Sequence, residues 1–184
     1  MGNIGIVYQK LGEYQKAIQF YEQALEILRR VEDVQGESNT LNCLGSAFCS
    51  MGEYLKAIEF HERSLEIAQR IKDAQGEKSA LSNIGFAYKY LGEYNKAIEF
   101  HEKSLEIAQR IGDVKGEAVE LKVISIIHDS MKKNEKAGQT VNHDRAHITG
   151  PGLPHLMGLI GVFFIEPTEF PSLFDGLLLG GQQK

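Results

Sequence analysis

The segment Leu91–Asp113, LGEYNKAIEFHEKSLEIAQRIGD, occurs in nearly the same form 40 residues earlier at Met51–Asp73, and more loosely at Leu11–Asp33. A period of this size constrains the fold more than any other feature. Each unit is one supersecondary element that cannot bury its apolar face alone, so the units must stack.

One unit shows what is stacked. Tyr94, Ala97, Ile98, His101, Leu105, Ala108 and Ile111 follow one another at steps of three and four, which lays them along one face of a helix. Phe100 and Ile107 widen that stripe, so the helix is expected to touch two neighbours. Lys96, Glu99, Glu102, Lys103, Glu106 and Arg110 fill the opposite face, several at spacings that pair along a helix.

A second helix precedes it, because Leu81, Ile84, Gly85, Tyr88 and Leu91 step in the same way. Asp73 is placed to accept from the free first-turn N–H groups of this helix, and Asp33 and Asp113 repeat the choice. Gly92 follows Leu91 where the helix must stop, and glycine tolerates the left-handed backbone needed there. Each unit is therefore helix A, a tight Gly-Glu turn, and helix B. Gly5, Gly45 and Gly85 on helix A, with Ala17, Ala57 and Ala97 on helix B, are expected to let the two helices approach closely.

The order Leu/Ile-Gly-x-x-Tyr/Phe, Gly-x-Tyr-x-x-Ala, then an aromatic and a Leu resembles the tetratricopeptide repeat. In the third unit it is carried by Leu81, Ile84, Gly85, Tyr88, Gly92, Tyr94, Ala97 and Leu105, with Ser104 at the small position late in helix B, where the first unit has Ala24. Leu41 and Leu81 stand where that repeat usually has tryptophan, the closing proline is missing, and the unit is longer than the common form. Helix B is therefore expected to run on through Ile111. The long unit is similar to the arrays of Pins/LGN G-protein regulators and kinesin light chains. The resemblance implies an all-α fold, a right-handed solenoid of antiparallel helix hairpins. It covers residues 1–137, as three hairpins and a partial fourth that begins at Val114 and includes at most a stub of helix B.

Residues 138–184 depart from the period and are expected to form an irregular or disordered tail. All four prolines lie there. Its apolar run Leu156–Ile165 spans only about half a bilayer core as a helix, so it is not a membrane span. Three readings of the tail stay open: the run folds back on the fourth helix A, it is a flexible tail that binds a partner or simply stays exposed, or it has no selected fold. Met1 falls about a third of the way into a helix A, so the chain reads either as a piece of a longer array or as one whose first hairpin frays.

Composition narrows the function. A net charge of −5 with no basic run argues against a nucleic-acid or anionic-membrane surface. Cys43 and Cys49 lie six apart on one helix and cannot pair locally, and no apolar leader stands at the N-terminus; a reduced, cytoplasmic setting is expected. Phosphate-loop, nucleophile-elbow and metalloprotease motifs do not occur, so no catalytic residue or cofactor is expected. His61 and His101 share a stripe position with Tyr21, which reads as ring packing in preference to a ligand role. His143 and His147 have metal-ligand spacing but no helical period around them and Gly150-Pro151 close behind, so zinc is not expected. The tail sequence from Ser172 resembles a GoLoco motif only with wrong spacing and without its arginine, which disfavours binding to a Gα subunit.

By the resemblance, helix A lines a concave groove. Helical spacing from the core positions then directs Asn42, Ser46, Cys49 and Ser50 into it from the second unit, and Ser82, Asn83, Phe86, Lys89 and Tyr90 from the third. Lys122, Ile126 and Asp129 follow from the fourth, and Asn3, Ile6, Gln9 and Lys10 from the first. The set lacks the lysine and asparagine pattern of the family's carboxylate clamp. Phe86 and Tyr90 form the largest apolar surface, with Lys89 beside them, although Phe86 has the alternative of packing on the next helix A. The resemblance implies a non-catalytic adaptor holding a protein or peptide in this groove, in signalling, polarity or cargo attachment. The competing reading is a structural spacer within a longer array.

Overall fold

The computed structural model describes the backbone of residues 2–148 and the side chains of residues 3–134. Among the described residues all regular structure is helical. The helices are α1 (Gly2–Lys10), α2 (Tyr14–Arg30), α3 (Val34–Ser50), α4 (Tyr54–Ile71), α5 (Ala74–Tyr90), α6 (Tyr94–Ile111) and α7 (Val114–Ile148). Helices α1 to α6 form three antiparallel hairpins, and the whole is an all-α solenoid.

Local chemistry sets the helix ends. The side-chain oxygen Oδ1 of Asp33, Asp73 and Asp113 accepts from the backbone N–H of Gly36, Gly76 and Gly116 at 2.9, 3.0 and 2.9 Å, capping α3, α5 and α7. Each turn inside a hairpin is made by a glycine in the left-handed region: Gly12 at φ 75°, Gly52 at 77° and Gly92 at 77°. Between units the chain turns at Glu32, Lys72 and Gly112, also with positive φ.

Two features close each hairpin. Near the turn, an aromatic pair stacks between its helices: Tyr8 on Phe20, Phe48 on Phe60 and Tyr88 on Phe100, with ring centroids 5.3, 5.2 and 5.5 Å apart. Lys16, Lys56 and Lys96 lie over one ring of each pair and form ion pairs with Glu13, Glu53 and Glu93. Deeper in, the helix A glycine faces a ring from helix B. A Cβ added at Gly5, Gly45 or Gly85 would meet Tyr21, His61 or His101 at 2.5, 2.6 or 2.7 Å. The close approach expected between Gly85 and Ala97 is thus made by Gly85 with His101, while Ala97 is fully buried against Val123 and Ile127 of α7.

The core follows the stack and has no single centre. Tyr21, Leu41, Leu44, Ile84 and Ile127 are the largest fully buried apolar or aromatic side chains among the described residues, one or two to a unit. Buried serines inside are paired, whereas Nε2 of His61 and of His101 has no partner among the described residues. Ser38 and Ser64 exchange hydrogen bonds between hydroxyls and backbone carbonyls across α3 and α4. One unit later, Ser104 donates to the Lys78 carbonyl at 3.1 Å and to Glu120 Oε1 at 3.0 Å.

Helix α7 differs from the other first helices. Lys132 stands where Gly12, Gly52 and Gly92 make their turns, and α7 continues through it to Ile148 without a break. Residues 138–148, expected in the irregular tail, have helical backbone as the end of α7. The rest of that segment, 149–184, lies outside the described residues, including the apolar run Leu156–Ile165.

Candidate functional site

Helix α1 touches α3, and α3 touches α5, so the first helices of successive units run side by side along one face. The face on which like helices of neighbouring units meet is the inner one, and its side chains form the candidate groove.

Asn42 links the core to the neighbouring first helix on this face. Its Oδ1 accepts from His61 Nδ1 at 2.7 Å below and from Asn83 Nδ2 at 3.0 Å alongside. The first contact fixes the amide on the core and the second joins α3 to α5. Both asparagines are half-buried and hold each other's orientation. Burial keeps His61 neutral by lowering its pKa to about 4, which suits a ring whose Nε2 has no partner in the protein.

The other expected groove residues fall into separate settings. Ser46 is half-buried and returns its hydroxyl to the Asn42 carbonyl at 3.0 Å, and Ser50 does the same to Ser46. Ser82 is half-buried, and Lys122 is exposed on α7. Phe86 does not stand free in the groove. It meets the edge of His101 at 4.9 Å between ring centroids and packs on the cluster of Ala97, Val123 and Ile127. It is half-buried cover for the core. Tyr90 is half exposed and stacks on Tyr54 of the preceding hairpin at 5.2 Å, with Lys89 Nζ 5.5 Å from its ring centre. Partial burial holds the Lys89 ammonium below its ordinary pKa. The structure therefore brings Asn42 to Asn83 and Lys89 to Tyr90, and it keeps these two pairs distinct.

Cys43 and Cys49 are free and half-buried, and burial raises both thiols, Cys49 to about 11. At ordinary pH such thiols are protonated and poor nucleophiles. His143 and His147 fall in the last turns of α7, where side chains lie outside the described residues.

Sequence reasoning missed two sets of residues. Gln35, Asn39, Asp73 and Ser79 line a cleft between α3 and α5 next to Asn42. Glu120, at a position held by Thr40 and Ala80 in earlier units, is buried and reaches His101 Nδ1 at 2.7 Å. For Glu120 the discoverable signal was a change of residue type between equivalent positions; Gln35 and Asp73 recur as Gln75 and Asp113 and carried no such signal.

The tetratricopeptide repeat profile matches residues 1–70, 36–110 and 77–138. Among solved structures, the TPR domain of Arabidopsis FLU is 26% identical, with a TM-score of 0.56 over 59% of this chain and 92% of that one. The TPR2AB domain of yeast Sti1, solved as a complex with pHSP90, is 25% identical, with a TM-score of 0.61 over 73% of this chain. This chain spans 47% of that structure's length. The nearly identical TPR-like repeats of a Podospora anserina kinesin light chain share the fold at 16% identity, with a TM-score of 0.62 over 77% of this chain and 70% of that one. No curated protein sequence matches the chain.

Proposed function

We infer that this chain, which belongs to the tetratricopeptide repeat family, is a non-catalytic protein-binding scaffold that holds a peptide segment of its partner along the inner face of α1, α3, α5 and α7. The binding module in this reading is the array of residues 1–137, acting in the cytoplasm. The Sti1 structure, in which a TPR domain is complexed with pHSP90, supports the general class.

The observation that carries the groove reading is the Asn42–Asn83 pair. Two side-chain amides are held in fixed orientation across adjacent units on the inner face, each with hydrogen-bonding capacity beyond the bonds it makes there. A fixed amide matches the donor and acceptor of an extended backbone at low ordering cost. At the far end of α5, Tyr90 offers a half-exposed ring stiffened by Tyr54 and flanked by Lys89, the type of aromatic surface that anchors an interface once water is excluded.

Affinity capture tests the reading. Ser82→Arg/Lys89→Glu alters the groove without touching the core residues beneath Asn42, and Glu62→Arg alters the exposed side of α4. Partners of the wild-type protein should be lost with the groove variant and kept with the α4 variant. Identical partner sets for all three proteins would overturn the groove reading and favour a spacer role.

A further inference from the structure

Each boundary between units is built on the same corner, an aspartate that caps the next first helix and a glycine three residues on. The three corners differ in what fills the space beside the glycine. At Asp33–Gly36 it is Leu28, whose Cδ2 lies 2.6 Å from where a Gly36 Cβ would be. At Asp113–Gly116 it is Lys78, whose Nζ lies 2.8 Å from the corresponding point and forms an ion pair with Asp113 Oδ2. At Asp73–Gly76 both fillers are replaced by short side chains. Ala68 stands for Leu28, and Ser38 stands for Lys78. Apart from the Asp73 carboxylate, the nearest atom there is Ala68 Cβ at 3.3 Å. At this corner the inner face opens into a cleft of about 290 Å³ whose lining includes Gln35, Asn39, Asn42, Asp73, Gly76 and Ser79.

We propose that this cleft binds the ammonium group of a lysine side chain carried by the peptide in the groove, in the place that Lys78 fills from within one unit later. The proposal rests on the groove reading above and specifies what one subsite recognises. The lining carries one anionic group, Asp73, and no cationic one. Neutral oxygens of Asn39 and Ser79 share the lining and supply acceptors for the remaining N–H donors of an ammonium. The Gly76 N–H and then the Gln35 amide hold Asp73 below the usual carboxylate range, so it is ionised at neutral pH. Gln35 Nε2 donates to Asp73 Oδ2 at 2.8 Å, the oxygen equivalent to the one that Lys78 engages on Asp113. A neutral amide thus marks the position, and the charge-assisted bond of an entering ammonium is the stronger of the two. Asn42 lines the cleft and carries Asn83 on its Oδ1, so a peptide backbone bound at this amide pair passes beside the cleft that holds Asp73.

The probe is n-butylammonium, titrated into the isotope-labelled full chain and followed by amide NMR. Saturable shifts should appear at the Gly76 backbone amide and the Gln35 side-chain amide. Binding should be at least about tenfold weaker for n-butanol, which has the shape without the charge. It should weaken by at least about the same factor in Ser38→Lys, which supplies the internal lysine, and in Asp73→Asn, which keeps the helix cap and removes the charge. The lysine has a precedent at the equivalent position, since Ser104 donates to the Lys78 carbonyl as Ser64 does to that of Ser38. Should Ser38→Lys fail to fold, Asp73→Asn carries the comparison. Equal binding of n-butanol, undiminished binding to Asp73→Asn, or no saturable shift in the wild type overturns the proposal. None of these outcomes touches the groove reading, which stands or falls on partner loss in Ser82→Arg/Lys89→Glu.

Discussion

His101 Nδ1 lies 2.7 Å from Glu120 Oε2, joining α6 to α7 through a contact fully removed from water. In the preceding unit, the equivalent ring nitrogen of His61 turns instead to Asn42 in its own hairpin. The ring position is thus shared, and at His101 it secures the next first helix through the carboxylate of Glu120. Glu120 has a second tie to α6 through the Ser104 hydroxyl, so one carboxylate meets both polar groups of that buried patch.

Removing that carboxylate isolates the imidazole. Glu120→Ala leaves His101 Nδ1 without its acceptor, while Ser104 keeps the Lys78 carbonyl. The expected loss is about 1–3 kcal/mol of unfolding free energy for the stranded group. Glu120→Gln retains an acceptor and should lose less. Urea melts of the two variants decide this, and an Ala variant as stable as wild type would mean that the contact does not hold α7.

Gly85→Leu forces a side chain into the His101 ring and should cost at least about 1–3 kcal/mol, whereas Glu102→Gln on the exposed face should change stability by no more than about 0.5 kcal/mol. The pairing has a sharper signature in a mutant cycle. Gly85→Ala and His101→Ala should be non-additive, because truncating the ring relieves the clash. Additive effects would show that Gly85 meets something other than His101.

Stability should also fall in mild acid. His61 has a folded-state pKa of about 4 against an ordinary 6.5, lowered by burial. The unfolded chain therefore takes up a proton between these values that the folded chain refuses. The contribution is fully present above pH about 6.5 and is lost progressively as pH falls towards 4, amounting to about 3 kcal/mol. His61→Tyr, copying Tyr21 of the first hairpin, should flatten the stability–pH curve between those limits. An equally steep curve in that variant would assign the acid sensitivity elsewhere.

Lys72 holds a left-handed backbone at φ 59°, at the corner where the next unit has Gly112 at φ 72°. A side chain there carries a steric cost that glycine avoids. Lys72→Gly should raise the midpoint of thermal unfolding, with a gain of up to about 1 kcal/mol. A lowered midpoint would show that the Lys72 side chain contributes more than its backbone strain costs.

Local opening should follow position in the stack. Inner units are covered on both sides, whereas Ile4, Val7 and Leu11 of α1 are exposed at positions whose equivalents Leu44, Ala47 and Met51 are buried or half-buried. Hydrogen exchange should be slowest from Tyr54 to Tyr90 and faster in residues 1–11 and beyond Val123. Uniform protection across the array would indicate global, all-or-none opening in place of unit-by-unit behaviour.

The helix boundaries were legible because they depend on short-range rules. The step of three and four residues, an aspartate at each cap and a glycine at each turn place α3 to α6 with the ends that the sequence implies. The Gly85–His101 contact was not, since a small residue shows that something comes close without showing what. For Phe86 helical spacing left two readings open, the groove or the next helix A, and only the stacking register, which brings Val123 and Ile127 of α7 to it, decides for the second. Nothing around Glu120 in the sequence marks it as buried; the fold does so by placing His101 and Ser104 of α6 opposite it. The cleft at Asp73 is likewise lined from different helices, by Gln35, Asn39 and Asn42 of α3 and by Gly76 and Ser79 of α5.

The unbroken run of α7 through Lys132 bears on how such a gene can lengthen. A module copied from the interior, with Gly52 or Gly92 inside it, would arrive carrying its own turn and a cap for the helix that follows. A module copied from Val114 onward would bring Lys132 with it and lay down a rod in place of a hairpin, of roughly 50 Å for 35 residues at the usual rise. A copy of an interior module would thus bring both the turn and the cap that a hairpin uses, and a copy of the last would bring neither turn glycine nor a following cap.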